Sequence, residues 1–446
     1  MTDNIINNAE STVATKGKRL RWLWFPSLLF GDGLTLSALM LSMVMMCRLG
    51  LDNALITLYI SLLCTPFLLR PLFEMIITHF RGTTKVWILS AEFISALSWW
   101  GIAFTLPTQY WLPGTLCFMP FIVMFGQFYN IATCRFYTDD SDTAPKHHIM
   151  LSTLFRAMAL LFAIGILPML AGNIEVVTRN TRYSWCFISY IMAGINFFLW
   201  LWHSIFLPGG WHPYAKAKDL YGLSNGKYSK VVDAMMHGFH NRSMLYFILL
   251  FILPEAIMHI VAPLFFIDAP HNGGLGLSPQ EFGLTFGTIG IFAFCLGYAI
   301  GNKIISKYQL HYLLIPMATL MSLHAMALLY LSYNLAATLA TISLMVFLGN
   351  AILGFCLTAY VASIRLFARQ SVGASLRKAI AVSLCTATMV GAGLFSGMLQ
   401  MNIGYRQFFI LVSIAYTASV AIAGIRTFVS IRLARQQSHE HAQERY

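Results

Sequence analysis

An all-α polytopic membrane protein, with twelve transmembrane helices in two six-helix pseudo-repeats, is the fold class that the sequence predicts. Three observations carry it. The chain of 446 residues is 58% apolar and only 10% charged, where soluble domains run near a quarter charged, and its mean hydropathy is +0.67. Apolar runs of about 20 residues, each enough for one helix across about 30 Å of hydrocarbon, fill almost the whole chain. The longest polar interruption, Pro208 to Arg242, divides these runs six and six. A membrane β-barrel is excluded, because its alternating segments of about ten residues give no continuous apolar runs.

Residues 1–21 form a cytoplasmic N-terminal segment whose polar part, Met1 to Gly17, is expected to be mobile. The first apolar run, Trp22 to Cys47, is too long for a signal-peptide core and lacks a small-residue cleavage site, so it reads as a retained helix. Further spans follow near 53–73, 86–106, 110–133, 150–171 and 184–207, completing an N-terminal half at 22–207. After a cytoplasmic linker loop at 208–242, spans near 243–267, 281–304, 312–332, 335–363, 376–399 and 405–430 make a C-terminal half at 243–430, and 431–446 is a cytoplasmic tail. The halves echo each other in letters. Leu49-Gly50-Leu51-Asp52 follows the first span and Leu275-Gly276-Leu277-Ser278 the seventh, with Asp52 and Ser278 both good N-cap residues for the next helix.

The net charge of +12 is confined mainly to loops. Lys and Arg near span ends are retained on the cytoplasmic side. With both termini inside, that side collects Lys16, Lys18, Arg19, Arg21, Arg70, Arg81, Lys85, Arg135, the loop lysines Lys216, Lys218, Lys227 and Lys230, and Arg432 and Arg435 among others. The opposite side keeps only Arg48, Arg179, Arg182 and Arg406. Basic loops therefore signify orientation in a lipid bilayer, the bacterial inner membrane, and no nucleic-acid partner is expected. Aromatic clusters such as Trp99-Trp100 and Tyr110-Trp111 fall near span ends and read as interface anchors. The eight cysteines are scattered through apolar runs with no paired spacing, so neither a disulfide framework nor a zinc site is indicated. No metal or other cofactor is expected, and no nucleotide-binding loop is present.

Charges inside apolar runs are costly and are site candidates by default. Asp32 lies in Gly31-Asp32-Gly33, where another helix or a ligand can approach the backbone closely, and Glu255 follows the helix-kinking Pro254. Both are candidates for proton coupling, as is His259, one helical turn after Glu255 and on the same face. Arg156 and Glu92 are the other clear intramembrane charges. Arg156 is suited either to an anionic substrate group or to neutralising one of the acids. Tyr129 and Asn130, with Gln127, and Asn350 in the tenth span are uncharged hydrogen-bonding candidates for the substrate. For each, bonding between helices is the structural alternative.

Two motifs would imply an enzyme, and neither is complete. Asp139-Asp140-Ser141-Asp142 has the carboxylates to hold a hard cation, but no second aspartate cluster accompanies it. His237-Gly238-Phe239-His240 lacks a nearby Glu base or third ligand. No catalytic residue is assigned.

Two six-helix halves related by a repeat are the plan of the major facilitator superfamily, with a substrate site between the halves near the midplane. Within that superfamily the chain resembles the AmpG-type muropeptide permeases and their acetyl-CoA-transporter relatives, over nearly its whole length. The resemblance rests on Phe30-Gly31-Asp32-Gly33, Leu69-Arg70-Pro71-Leu72-Phe73 and Trp87-Ile88-Leu89, and on Pro254-Glu255-Ala256, Pro263-Leu264-Phe265-Phe266, Gly273-Gly274-Leu275-Gly276-Leu277-Ser278 and Gly404-Tyr405-Arg406-Gln407. It implies proton-driven import of anhydro-muropeptides. The chain departs from the family where Asn130 and Cys134 stand in place of two fourth-span aspartates, where Thr78 replaces an Asp, and where Glu92 replaces a Gln. The expectation is a monomeric, proton-coupled secondary transporter of a small solute that works by alternating access. A non-transporting sensor that keeps the fold is the alternative.

Overall fold

The computed structural model describes residues 2–79, 83–139, 147–207, 242–369 and 374–443, and their regular elements are helices. In chain order these are α1 (Thr2–Arg48), α2 (Asn53–Leu63), α3 (Thr65–Leu68), α4 (Arg70–His79), α5 (Thr84–Thr105), α6 (Trp111–Asp139), α7 (His147–Leu160), a π-helical turn (Leu161–Ile166), α8 (Leu167–Thr178) and α9 (Thr181–Phe206). The second part holds α10 (Arg242–Phe251), α11 (Leu253–Ile267), α12 (Pro279–Phe282), a π-helical stretch (Gly283–Gly290), α13 (Ile291–Lys307), α14 (Leu310–Tyr333), α15 (Leu339–Arg369) and α16 (Ala374–Gln443). Apart from Asp139 and Arg242, which lie in α6 and α10, the linker loop, the acidic cluster and the His237/His240 pair fall outside the described residues.

Ten helices among the described residues are long and apolar enough to cross a membrane, and eleven when Asn53–Leu68 and Arg70–Ile77, bent by 42°, count as one span. The longest of these stretches, Ala379–Val429, has 51 residues, far more than one crossing needs. It is interrupted at Gly404, whose φ of 76° and ψ of 163° are not helical. The N-terminal polar stretch differs from expectation, for α1 runs without a break from Thr2 into the first apolar run. No proline precedes Pro26 to stop it. Local caps set several helix starts: the Thr83, Asn180 and Ser278 side chains accept from the backbone N–H of Val86, Tyr183 and Glu281, as N-caps do. Ser278 completes a capping box with Glu281, whereas the Asp52 side chain makes no such bond.

Contacts between span ends sort them into two sets, as up-and-down packing requires. At one end Arg48 pairs with Glu175 at 2.8 Å, Arg182 donates to the Thr108 carbonyl at 3.4 Å, and Arg406 lies over the Tyr333 ring at 4.3 Å. At the other, Lys85 donates to the Ser204 and Leu207 carbonyls at 2.9 and 2.7 Å, Arg135 to the Glu74 carbonyl at 3.1 Å, and the Trp202 indole to the Leu23 carbonyl at 2.9 Å. Apart from Arg406, whose guanidinium lies on a ring face, a basic or indole N–H in each case satisfies an acceptor near a span end.

The parts before and after the linker touch along two seams. One joins α2 to α16, and the other joins the Leu161–Ile166 and Gly283–Gly290 π-helical segments. Close approach at the second seam depends on glycine. A methyl group on Gly287 would fall on the Ile164 carbonyl oxygen and lie 2.5 Å from the Gly165 Cα, and one on Gly283 would lie 2.6 Å from Met169 Cγ. Small residues at such crossings give membrane helices the dispersion contact that the hydrophobic effect cannot supply there. Gly287→Leu should therefore cost at least the roughly 1–3 kcal/mol typical of overpacking and lower the melting temperature of the detergent-purified protein. Gly194→Ala, where nothing lies within 4 Å of the added carbon, should leave it unchanged; equal effects would disprove the tight seam.

Candidate functional site

Pro254 shapes the best-formed site. It has no N–H to give and its ring obstructs the preceding turn, so the helix breaks at Ile252 between α10 and α11. In hydrocarbon the carbonyls around the break need other donors. The Tyr360 hydroxyl donates to the Ile248 carbonyl at 2.7 Å, Thr388 to that of Leu249 at 3.1 Å, and Ser419 to that of Phe251 at 2.8 Å. Glu255 thereby falls in the first turn of α11, where the helix dipole favours a negative charge. It is 4% exposed. The Tyr416 hydroxyl donates to its Oε2 at 2.6 Å, and His324 Nδ1 stands 3.4 Å from the same oxygen.

Glu255 lines a cavity of about 400 Å³ enclosed almost wholly by residues after the linker, with Met40 of α1 as the contribution from before it. His259, exposed on the next turn, faces this cavity, as do His324 and Asn350. Asn350 is partly committed, since its Nδ2 donates to the Val346 carbonyl at 3.0 Å. The remaining lining is apolar and includes Phe266, Phe286, Phe294, Leu353 and Met389.

Asp32 is elsewhere. It is 0% exposed and does not line this cavity, so of the two candidate acids for proton coupling this cavity holds Glu255 alone. Arg156 Nε donates to Asp32 Oδ2 at 2.5 Å and Asn130 Nδ2 to Oδ1 at 2.7 Å. Gly33 lets α7 come close enough for this, for a methyl there would lie 2.7 Å from the Arg156 carbonyl oxygen and 2.6 Å from Ala159 Cβ. The sequence leaves Arg156 two roles, and in this structure it neutralises an acid.

Glu92 is paired with a residue that sequence reading missed. Its Oε1 lies 2.5 Å from His203 Nδ1, while His203 Nε2 lies 2.9 Å from Ser27 Oγ. The single hydroxyl proton of Ser27 goes to the Trp24 carbonyl at 2.9 Å, so Ser27 accepts from Nε2–H. One proton is left between Nδ1 and the carboxyl group. The pair is neutral overall whether it is written as imidazolium and carboxylate or as imidazole and acid. Tyr129, adjacent to Glu92, donates to the Leu28 carbonyl at 2.9 Å. Neither residue lines the cavity.

A further cluster that the sequence did not single out joins the two parts at the cation-poor end. Asp268 accepts from Asn53 Nδ2 at 2.6 Å and from the Tyr405 hydroxyl at 2.5 Å, with Cys47 Sγ at 3.7 Å. Asn53 also donates to Gln400 Oε1 at 3.1 Å. Among the described residues no group of three His, Cys, Asp or Glu is placed to hold a metal.

The structure aligns along nearly its full length with solved membrane transporters. A POT family transporter in complex with a thioalcohol-conjugated peptide matches with a TM-score of 0.64 at 13% identity, over 91% of this chain and 96% of that one. This chain has their fold. The nucleoside transporter NupG matches with a TM-score of 0.58 at 16% identity over 92% and 98%, and a D-xylose–proton symporter with 0.61 at 12% over 90% and 94%. No family model and no curated protein sequence matches the chain.

Breaking a buried ion pair from one side costs about 3–5 kcal/mol, because the remaining charge is stranded. Arg156→Ala should therefore destabilise the protein strongly, and adding Asp32→Asn to it should restore much of the loss. Thermal unfolding of the two single variants and the double variant checks this; strict additivity would show that the pair is not coupled.

Proposed function

We propose that the chain is a monomeric, proton-coupled secondary transporter of the major facilitator type, moving a small solute across the bacterial inner membrane by alternating access. Counting the bent α2–α4 segment as one span and splitting α16 at Gly404 gives twelve spans, six on each side of the linker. The distribution of Lys and Arg puts both termini and the linker in the cytoplasm.

The observation that carries this reading is Glu255, a carboxyl group set by a broken helix against the wall of a partly open cavity. Discontinuous membrane helices near the midplane are where transporters hold solutes and coupling ions. Closing such a cavity removes water, which disfavours the charged form of any carboxyl group left inside, and reopening it reverses the preference. His259 and His324, within the same cavity, are suited to pass the proton on. Asp32 and Glu92 are each already matched to a fixed partner and serve to hold α1 against α6 and α7, and α5 against α9. The similarity to AmpG-type permeases makes anhydro-muropeptides the first solutes to assay, while the mostly apolar cavity favours a smaller and less polar one.

In proteoliposomes, a solute drawn from a panel of muropeptides, sugars, dipeptides and organic ions should drive proton movement reported by an internal pH dye. Glu255→Gln should abolish accumulation driven by a pH gradient while sparing exchange of labelled for unlabelled solute. Gradient-driven accumulation that survives Glu255→Gln would refute the coupling role, and absence of flux for every solute tested would refute transport.

A further inference from the structure

The walls of the cavity say what kind of solute Glu255 faces. Among the described residues lining it there is no lysine or arginine, and Glu255 is the only carboxylate. Arg156, the intramembrane cation nearest in character to an anion receptor, is engaged with Asp32 outside the cavity. An anionic solute would thus meet a carboxylate with no lysine or arginine beside it in a medium of low dielectric, where like charges repel strongly. The Glu255 oxygen that Tyr416 occupies is Oε2. Oε1 has no hydrogen bond to a described residue, and the carboxylate carrying it fronts the cavity.

The apolar part of the wall suits the same solute. Phe266, Phe286, Phe294 and Tyr360 are among the lining residues, and aromatic rings attract organic cations, most strongly where water is excluded. Met40, Met345 and Met389 add flexible, polarizable surface that adapts to differing shapes. About 400 Å³ lies in the range that encloses most of a drug-sized molecule.

We infer that the cavity is a binding site for apolar organic cations, with the Glu255 carboxylate as their counter-ion and the proton as their competitor. This deepens the transport reading and rests on it for the use made of the site. Proton and cation exclude each other at one group: the carboxylate binds the cation, and wherever the carboxyl is protonated it must give up that proton as the cation arrives. The titratable groups facing Glu255 are His259 on its own helix, His324 of α14, Tyr416 of α16 and the Cys356 thiol of α15. A proton gained by either histidine adds a positive charge beside the carboxylate and weakens cation binding in the same direction, so acidification opposes the cation at Glu255 and at both histidines.

Tetraphenylphosphonium and tetraphenylborate, nearly identical in size and shape and opposite in charge, test this directly. Equilibrium dialysis of the purified full-length protein in detergent should show saturable binding of tetraphenylphosphonium at pH 8, at least ten-fold weaker at pH 6, with net proton release on binding in lightly buffered solution. Tetraphenylborate should not displace it, and Glu255→Gln should weaken it at least ten-fold and remove its pH dependence. The comparison of the two ions and the two pH values on the unaltered protein stands even where the variant does not fold. Equal or tighter binding of the borate, binding insensitive to pH, or unchanged affinity in a folded Glu255→Gln protein would overturn the assignment. The outcome separates from that of the transport assay: tetraphenylphosphonium bound as described without flux of any solute supports the site and refutes transport, whereas proton-driven flux of another solute without tetraphenylphosphonium binding does the reverse.

Discussion

Hydrocarbon offers a polar group nothing to bond with, and that constraint organises the molecule. Its strictest consequence is at Pro254. Breaking a helix there frees carbonyls that water would satisfy elsewhere but cannot satisfy here. Hydroxyl groups from three later segments, Tyr360, Thr388 and Ser419, supply the missing hydrogen bonds. The break is thus also a fastening, which ties α10 to α15 and to α16 on both sides of Gly404, while Tyr416 ties α11 to α16. Glu255 is positioned by that fastening and not by its own helix alone.

The three buried acids show three ways of meeting the same cost. Asp32 is matched to a permanent cation, and its charge is settled by the fold. Glu92 shares a proton with His203, and its environment is closed by Ser27 and the Trp24 carbonyl. Glu255 has a neutral hydroxyl donor and an imidazole just beyond hydrogen-bond reach, beside open space. Only in the last case can an arriving ion change the electrostatic balance without dismantling a helix contact. That difference, rather than acidity or depth in the membrane, separates a group able to exchange ligands from groups that hold the bundle together.

The spans and the acids were legible in the sequence because each is a local signal: twenty apolar residues, or one charge among them. The partners were not, because they come from far along the chain. His203 lies 111 residues from Glu92, and Tyr416 lies 161 from Glu255. The rule that singled out the carboxylates would also have singled out His203 and His324, since an imidazole in hydrocarbon needs partners too. Asp268 was passed over because it stands at the end of a span, where an exposed aspartate needs no explanation. The sequence divides the last long apolar stretch between spans near 376–399 and 405–430, and the positive φ of Gly404 fixes the residue at which the helix is interrupted. Arg156 illustrates the limit most plainly: composition predicts that it must be neutralised but not by whom.

The seams between the two parts are of a kind that can separate without great loss. At the π-helical seam the contact is between glycine backbones and small side chains, which carry little apolar area and so lose little on exposure to water. At the cation-poor end Asp268 is held by the neutral donors Asn53 and Tyr405, and water can replace each of those hydrogen bonds once it enters. A buried ion pair between the parts would be far costlier to open, for each charge would have to be rehydrated or stranded. The described pairs of opposite charge confined to spans, Asp32 with Arg156, Glu92 with His203 and Glu255 with His324, each lie instead within one part. Strong electrostatics are thus kept inside a rigid part and weak, exchangeable contacts between the parts. The alternating access we propose requires that division, because the two parts must come apart at one end while each remains intact.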